Sequence, residues 1–302
     1  MRVKYSGNWK KKEEEADYNM HIQKNILIAG SAAKPMATDI FYKANNEAKP
    51  MVIYAHGFNG FKDWGNFDII AKQFAAAGFV FVKFNFSHNG TTPEQPDDFA
   101  DLEAYGENNY TKELFDLQQV INWCIDGNNP HSKQMDASKL YLVGHSRGGG
   151  IVLLKAAEES KVKAVTTWAS VSECKTPWGS WTDQKMKEWK ESGVQYYLNS
   201  RTRQQMPLYY QLFEDYQDNV DRLDIKKAIS SLHIPILLCH GTKDDAVPVV
   251  KAYELKEANP SAELFLVESD HVFGRKHPWT EKGLPDPMQQ VVDKTIQFFK
   301  QY

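Results

Sequence analysis

The sequence predicts an α/β fold: a mostly parallel central sheet with helices on both faces and a segment inserted near its middle. Short apolar segments alternate with helical patterns from residue 25 onward, as in parallel sheets that are covered on both faces. The alternation stops near residue 170 and resumes after residue 232. The length of 302 residues fits one large domain with an insertion, or two ordinary domains.

Strands are predicted where β-branched and aromatic residues run together, and helices where apolar residues recur every three or four positions. The predicted strands are residues 25–29, 38–42, 51–55, 79–86, 140–143, 164–168, 235–239 and 264–267. The predicted helices are residues 67–77, 111–125, 147–159, 249–258 and 288–299. The polar residues 89–109 are expected to form a long loop.

The segment 170–232 is too long for a simple connection, and it is rich in tryptophan and tyrosine. A helix is predicted at residues 182–191, and a hairpin is expected to begin at residues 194–198. We interpret this segment as a cap inserted into a core formed by residues 20–169 and 233–302. The charged residues 1–19 are expected to form a disordered tail.

The composition is that of a water-soluble globular protein, with 42% hydrophobic and 25% charged residues and a formal net charge of -3. This charge gives no reason to expect nucleic acid or a membrane as a partner. The N-terminus lacks the apolar core of a signal peptide, and two of the three cysteines, Cys124 and Cys239, are interpreted as packed thiols. A cytoplasmic location follows by default, and a homo-oligomer is left open.

The strongest motif is the pentapeptide Gly144-His145-Ser146-Arg147-Gly148, which lies between a predicted strand and a predicted helix. A sharp turn in that context exposes the serine hydroxyl and requires small residues two positions to either side. Ser146 is therefore the candidate nucleophile. A chance glycine-rich turn is the alternative, but the strand–turn–helix context disfavours it.

A serine hydroxyl needs a base, and in folds with this turn the order along the chain is serine, acid, histidine. His271 follows the predicted strand 264–267 and is the candidate base. Asp244 and Asp245 follow strand 235–239, and Asp270 precedes the histidine. Each of these three carboxylates could hold the imidazole in the correct tautomer.

An oxyanion hole requires two backbone donors. One is expected to be the amide of Arg147, the residue after the nucleophile. The other is expected to be the amide of Phe58, in the loop His56–Gly60 that follows the third strand.

Together, the stretches HGFNG, GHSRGG, HGTKDDAVP and SDHVF resemble the α/β-hydrolase family from about residue 26 to the C-terminus, apart from the insertion. Among its branches, the sequence is most similar to the carboxylesterase, feruloyl-esterase and serine-aminopeptidase-like one. The resemblance favours Asp244 as the acid and implies that aromatic residues of the cap line an acyl pocket. Arg147 departs from the family pattern, in which glutamine, methionine or leucine is common.

Five residues are candidates for contact with substrate: His88, Trp178, Trp181, Tyr196 and Tyr209. The alternative for the four aromatic residues is that they pack the cap onto the core. No spacing indicates a zinc site, and no glycine-rich loop fits a nucleotide cofactor, so neither metal nor cofactor is expected.

The sequence thus predicts a serine hydrolase that cleaves small-molecule carboxylic esters through an acyl-enzyme intermediate. The first alternative is an aminopeptidase or amidase with the same triad, in which an acid from the stretch 97–107 would hold a substrate amine. The second alternative is a binding protein that has this fold without the chemistry.

Overall fold

The computed structural model describes residues 19–302, so the predicted tail lies outside the described residues except for Asn19. Ten strands form in the described part of the chain, and eight of them belong to one sheet. The strands are β1 (Met20–Ala29), β2 (Pro35–Lys43), β3 (Lys49–Ala55), β4 (Val80–Phe84), β5 (Met135–His145), β6 (Val162–Trp168), β7 (Val194–Leu198), β8 (Gln205–Tyr209), β9 (Ile236–Gly241) and β10 (Glu263–Val267).

Helices cover both faces of the large sheet, as the alternation predicts. They are α1 (Phe67–Ala76), α2 (Leu102–Gly106), α3 (Tyr110–Ile125), α4 (Arg147–Glu158), α5 (Asp183–Ser192), α6 (Gln211–Asp218), α7 (Ile225–Ser231), α8 (Val250–Ala258) and α9 (Asp286–Phe299). Short 3₁₀ turns lie at Ser31–Ala33, Ser132–Gln134 and Trp178–Ser180.

The large sheet has the strand order β1-β2-β4-β3-β5-β6-β9-β10. Six neighbouring strands of this order are parallel to one another: β4, β3, β5, β6, β9 and β10. At the other side of the sheet, β1 pairs antiparallel with β2, and β2 pairs antiparallel with β4. The carboxyl ends of β3, β5 and β9 therefore lie at the same edge of the sheet, where the loops that carry the candidate residues leave it. The prediction of a mostly parallel α/β sheet is confirmed.

Two apolar clusters fill the space between the sheet and its helices. In β5, Leu140 and Leu142 belong to one cluster, while Tyr141 and Val143 belong to the other. This alternation follows from the strand period of two and buries both faces of β5. The central strands consequently read as continuous apolar segments in the sequence.

The segment between β6 and β9 carries the second sheet, in which β7 and β8 pair antiparallel. The expected hairpin and helix are both present, as β7–β8 and α5. The sequence interpretation missed α6 and α7 in this segment and α2 within the loop 89–109. These three helices have eight residues or fewer, too short for a clear helical period.

The cysteines Cys124, Cys174 and Cys239 are free and buried, as expected for Cys124 and Cys239. Within residues 19–302, the structure contains no helix with the length and apolar character needed to cross a membrane.

Candidate active site

Ser146 occupies the single position between the end of β5 and the start of α4. Its backbone has φ +56° and ψ -121°, a conformation that costs a non-glycine residue free energy. Backbone hydrogen bonds hold it there: its N–H donates to the Trp168 carbonyl at 2.9 Å, and its carbonyl accepts from the Gly149 N–H at 2.9 Å. The turn therefore presents the hydroxyl at the sheet edge.

The glycines of the pentapeptide are required by close backbone approach. A Cβ on Gly144 would lie 2.2 Å from the Gly148 carbonyl oxygen, and a Cβ on Gly148 would lie 2.4 Å from the Ala55 carbonyl oxygen. A Cβ on Gly57 would lie 2.9 Å from the Ser146 Cβ. The loop after β3 thus packs directly against the serine.

His271 lies four residues beyond β10, and its imidazole Nδ1 lies 2.8 Å from Asp244 Oδ2. The ring of His145 holds the same loop, since its Nε2–H donates to the His271 carbonyl at 2.9 Å. Among the described residues, the His271 ring has no hydrogen bond to the Ser146 hydroxyl. Hydrogen bonds of this kind often form only when a substrate is bound.

Asp244 is buried at the end of β9 and is held by several donors. Its Oδ1 accepts from the Ala246 and Val247 amides at 3.0 and 2.8 Å, and His240 Nε2 lies 3.3 Å from Oδ2. Burial would raise the pKa of Asp244, but the hydrogen bonds from His240 and His271 hold it well below its usual range. Asp244 therefore carries a charge facing the imidazole.

The competing acids are placed differently. Asp245 and Asp270 are both exposed, and Asp270 Oδ1 accepts from the Gly274 amide at 2.8 Å rather than from the imidazole. The geometry therefore favours Asp244 as the partner of His271.

The loop after β3 is fixed by the buried His56. Its Nδ1–H donates to the Gly57 carbonyl at 2.9 Å, while Nε2 accepts from the Phe86 amide at 3.3 Å. Burial lowers the pKa of His56 to about 4, so the ring stays neutral at physiological pH and keeps this donor and acceptor pattern.

One cavity of about 200 Å³ brings the serine, the histidine and this loop together. Ser146, His271 and Phe58 all line it, and its floor is aromatic, with Tyr54, Trp64 and Phe67 among the lining residues. An apolar cavity with a few convergent polar groups is the usual form of a small-molecule site.

The Arg147 side chain points away from this cavity. It is buried, its Nε donates to Glu113 Oε2 at 2.9 Å, and its guanidinium carbon lies 3.9 Å from the Tyr110 ring centre. The Arg147 side chain therefore pairs with a carboxylate and joins α4 to α3. Its backbone amide remains available at the start of α4.

None of the five predicted substrate-contact residues lines the cavity that contains Ser146. His88 is buried, and its Nδ1 lies 2.7 Å from the Ser87 hydroxyl, which also donates to Asp116. Burial lowers the pKa of His88 to about 4. The structure places His88 outside that cavity, because the chain after β4 is bonded to α3: the Ser87 hydroxyl beside His88 donates to Asp116.

The four predicted aromatic residues of the insertion also lie elsewhere. Trp178 packs against other aromatic rings, including Trp189 at 6.1 Å between ring centres, and Trp181 packs on Trp189 at 5.1 Å. Tyr196 is 57% exposed, and the Tyr209 hydroxyl donates to Glu103 at 2.6 Å. The packing interpretation therefore fits the two tryptophans better than the pocket interpretation.

Tyr197 of the insertion, which sequence reasoning missed, lines an adjoining cavity and contacts Asn59, a residue that lines the cavity with Ser146. Its hydroxyl, together with that of Tyr105, hydrogen-bonds the Asn59 side chain next to Phe58. Tyr196 and Tyr197 point to opposite sides of β7, so the strand period of two was the signal that could have separated them.

Among the described residues, one acidic cluster has the spacing of a metal site: Asp39, Asp63 and Asp68. Two buried ammonium groups occupy it, however. Lys62 Nζ lies 2.9 Å from Asp39, and Lys83 Nζ lies 3.0 Å from Asp39 and 2.7 Å from Asp68. Together with Lys24, which pairs with Asp68, these lysines neutralise the three carboxylates, so the cluster is an ion-pair network that anchors the chain after Phe61.

A family model described as the alpha/beta hydrolase fold matches residues 50–212. This match includes the loop after β3, the turn at Ser146 and most of the insertion, and it covers more than half of the chain. The protein therefore belongs to the α/β-hydrolase family.

Known proteins that are similar to this chain include one sequence relative and several solved structures. A quorum-quenching protein, AidA, from Acinetobacter baumannii is 26% identical over 134 residues, which is 44% of this chain and 38% of that relative's length. Est1E from Butyrivibrio proteoclasticus is a structural neighbour, with 16% identity, a TM-score of 0.67 and coverage of 92% of this chain and 98% of that one. An esterase domain from Rhodothermus marinus also matches, with 16% identity, a TM-score of 0.62 and coverage of 93% and 99%.

Proposed function

We propose that this protein is a serine hydrolase that cleaves small-molecule carboxylic esters. The observation that carries the proposal is the strained Ser146 turn in one cavity with a His271 imidazole that is held by the buried Asp244. A binding protein would gain nothing from the free energy stored at Ser146, which is about 1–3 kcal/mol for such a backbone.

In the acylation step, Ser146 Oγ attacks the ester carbonyl carbon while His271 Nε2 takes its proton. The C–O bond to the alcohol then breaks, and His271 returns the proton to the leaving oxygen. In deacylation, water loses a proton to His271 and attacks the acyl carbon; the bond from that carbon to Ser146 Oγ breaks, His271 returns the proton to Oγ, and the carboxylic acid leaves. The ionised Asp244 stabilises the imidazolium in both steps.

The amides of Phe58 and Arg147 are the proposed donors to the oxyanion. Arg147 N–H lies at the start of α4, where unpaired amides and the helix dipole favour negative charge. The Phe58 amide belongs to the loop whose Gly57 packs against Ser146. Two such donors in an apolar cavity contribute about 3–4 kcal/mol each to the barrier reduction.

We favour ester cleavage over amide cleavage because, among residues 19–302, no acidic residue lines the cavity. An aminopeptidase needs a carboxylate for the substrate amine, and the acids of the stretch 97–107 do not reach the lining.

The test is a panel of aryl esters and aminoacyl anilides with the wild type and Ser146→Ala. We expect ester turnover by the wild type and a loss of about four to six orders of magnitude in the variant, with the melting temperature unchanged. Near-normal ester turnover by Ser146→Ala would refute the proposal. Anilide turnover that exceeds ester turnover would assign the protein to the peptidases.

A further inference from the structure

Two buried arginines lie near the site, and they differ in how their charge is balanced. Arg147 pairs with Glu113. Arg275 is 4% exposed, yet within residues 19–302 no carboxylate lies within 4 Å of its guanidinium. A buried charge without a counter-ion is costly, so its retention calls for an explanation.

The guanidinium of Arg275 is fixed by its surroundings but incompletely bonded. Its Nε donates to the Val272 carbonyl at 2.8 Å, and its central carbon lies 4.7 Å from the Phe67 ring centre and 5.6 Å from that of Trp64. Its Nη1 is buried without a hydrogen-bond partner among the described residues. The group is therefore held in place while part of its donor capacity is unused.

The side chains nearest to Arg275 do not fully balance the charge of its guanidinium. Burial lowers the pKa of Arg275, and the Tyr54 phenol and the Asp270 carboxylate offset this only in part. The Asp270 side chain is exposed and engaged with the Gly274 amide. A hydrophobic residue of similar volume would fill the same space at lower cost if packing were the only requirement.

Arg275 lines the cavity that contains Ser146 and also an adjoining cavity of about 450 Å³. The second cavity is also lined by Arg201 and Lys276, whose side chains lie 3.8 Å from Asp98 and 3.9 Å from Glu281. Among residues 19–302, no aspartate or glutamate lines either cavity. Of the three lysine and arginine side chains that line this space, Arg275 is therefore the one without a carboxylate within 4 Å in the described chain, and its charge favours an anion beside it.

We propose that Arg275 binds a carboxylate of the substrate, so that the preferred esters are those that carry a free carboxylate group. Arginine is suited to this role because its planar fork donates two parallel hydrogen bonds to a carboxylate. Binding would supply the counter-ion that the protein itself omits. This inference rests on the proposed ester hydrolysis, and it leaves the carboxylate on either the acyl or the alcohol side.

Two pairs of esters show whether the carboxylate that Arg275 binds lies on the acyl or the alcohol side. The acyl pair is para-nitrophenyl hydrogen adipate and its neutral methyl ester. The alcohol pair is para-carboxyphenyl butyrate and its methyl ester. We expect the wild type to prefer the acid of one pair, by about tenfold to a hundredfold in kcat/KM, the range of a hydrogen bond to a charged group. Equal kcat/KM within both pairs, after correction for spontaneous hydrolysis, would overturn the proposal.

The variant Arg275→Gln should remove that preference, mainly by raising KM for the acid, so that kcat/KM for the acid falls to that for the methyl ester in the same variant. Arg275→Lys should restore part of the preference because it keeps the charge. The matched control is Arg222→Gln, since Arg222 pairs with Glu158 on the surface and its loss changes the net charge equally. Equal losses for acid and methyl ester in Arg275→Gln would make Arg275 purely structural.

Two further comparisons test the proposal if the variant does not fold or if no ester is cleaved. If Arg275→Gln does not fold, the comparison of acid and methyl ester with the wild type decides alone. If no ester is cleaved, calorimetry of hydrogen adipate monomethyl ester with Ser146→Ala and with Ser146→Ala/Arg275→Gln still measures the anion site. Binding that depends on Arg275 without ester turnover refutes the esterase proposal and retains the anion site, whereas no binding refutes the anion site.

Discussion

At the scale of single residues, the site depends on groups whose conformations are fixed by neighbours rather than by their own preferences. Ser146 keeps a positive φ because the Trp168 carbonyl and the Gly149 amide hold its backbone. His271 is held through its side chain by Asp244 and through its carbonyl by His145. Such support on both sides is what keeps a reactive geometry within narrow limits.

The first residue-scale prediction concerns the acid. Asp244→Asn should lower ester turnover by about four orders of magnitude, because an amide stabilises the wrong histidine tautomer. Asp245→Asn and Asp270→Asn are the matched controls, since both carboxylates are exposed and neither contacts the imidazole. Measured kcat values decide; a larger loss in Asp245→Asn than in Asp244→Asn would show that the wrong carboxylate has been assigned.

The second residue-scale prediction concerns the turn. Gly148→Ala should destabilise the protein and abolish turnover, since its Cβ would lie 2.4 Å from the Ala55 and His56 carbonyl oxygens. Gly127→Ala is the control, because nothing lies within 4 Å of the added Cβ. Thermal unfolding measures the difference. A melting temperature of Gly148→Ala equal to that of Gly127→Ala would contradict the packing described for the turn.

At the scale of elements, the motifs on strand ends could be predicted from sequence, whereas contacts between distant segments could not. Ser146 and His271 were found because each follows a strand that is itself recognisable. The Arg147–Glu113 pair joins α4 to α3, and the hydrogen bond of Tyr197 to Asn59 joins residues 138 positions apart. No local pattern encodes such pairs, so the aromatic residues of the insertion were assigned by composition, and the four that were named do not line the cavity that contains Ser146.

The insertion gives the element-scale prediction, which separates packing from contact with the site. Trp178→Ala should lower the free energy of unfolding by about 3–5 kcal/mol without changing the ranking of ester substrates, since it packs among aromatic rings. Tyr197→Phe should keep stability but lower kcat/KM by up to about tenfold, because it removes a hydrogen bond to Asn59.

The control for the second variant is Tyr196→Phe, whose hydroxyl lies on an exposed side chain of the same strand. Unfolding curves and turnover on short, long and aromatic acyl esters distinguish the cases. A reordering of substrates by Trp178→Ala, or equal effects of the Tyr196 and Tyr197 variants, would contradict the roles assigned to the two faces of the insertion.

At the scale of the whole molecule, the parallel sheet explains why the strands and the edge that carries the site could be predicted from the sequence. Strands buried on both faces must be continuously apolar, so they are visible without any structure, and the sheet then brings their carboxyl ends to one edge. Which charged residues pair with one another could not be predicted from the sequence. The network of Asp39, Lys62 and Lys83 and the unpaired Arg275 are scattered along the chain, and only the fold decides which of them meet.

The central claim is that Ser146 is a nucleophile activated by His271, and covalent labelling tests it most directly. Treatment with a fluorophosphonate followed by mass spectrometry should add one phosphonyl group to the wild type, on the peptide that contains Ser146. Ser146→Ala should remain unlabelled, and His271→Ala should label far more slowly because the base is absent. Labelling of Ser146→Ala at the wild-type rate, or a folded wild type that does not react, would contradict the account.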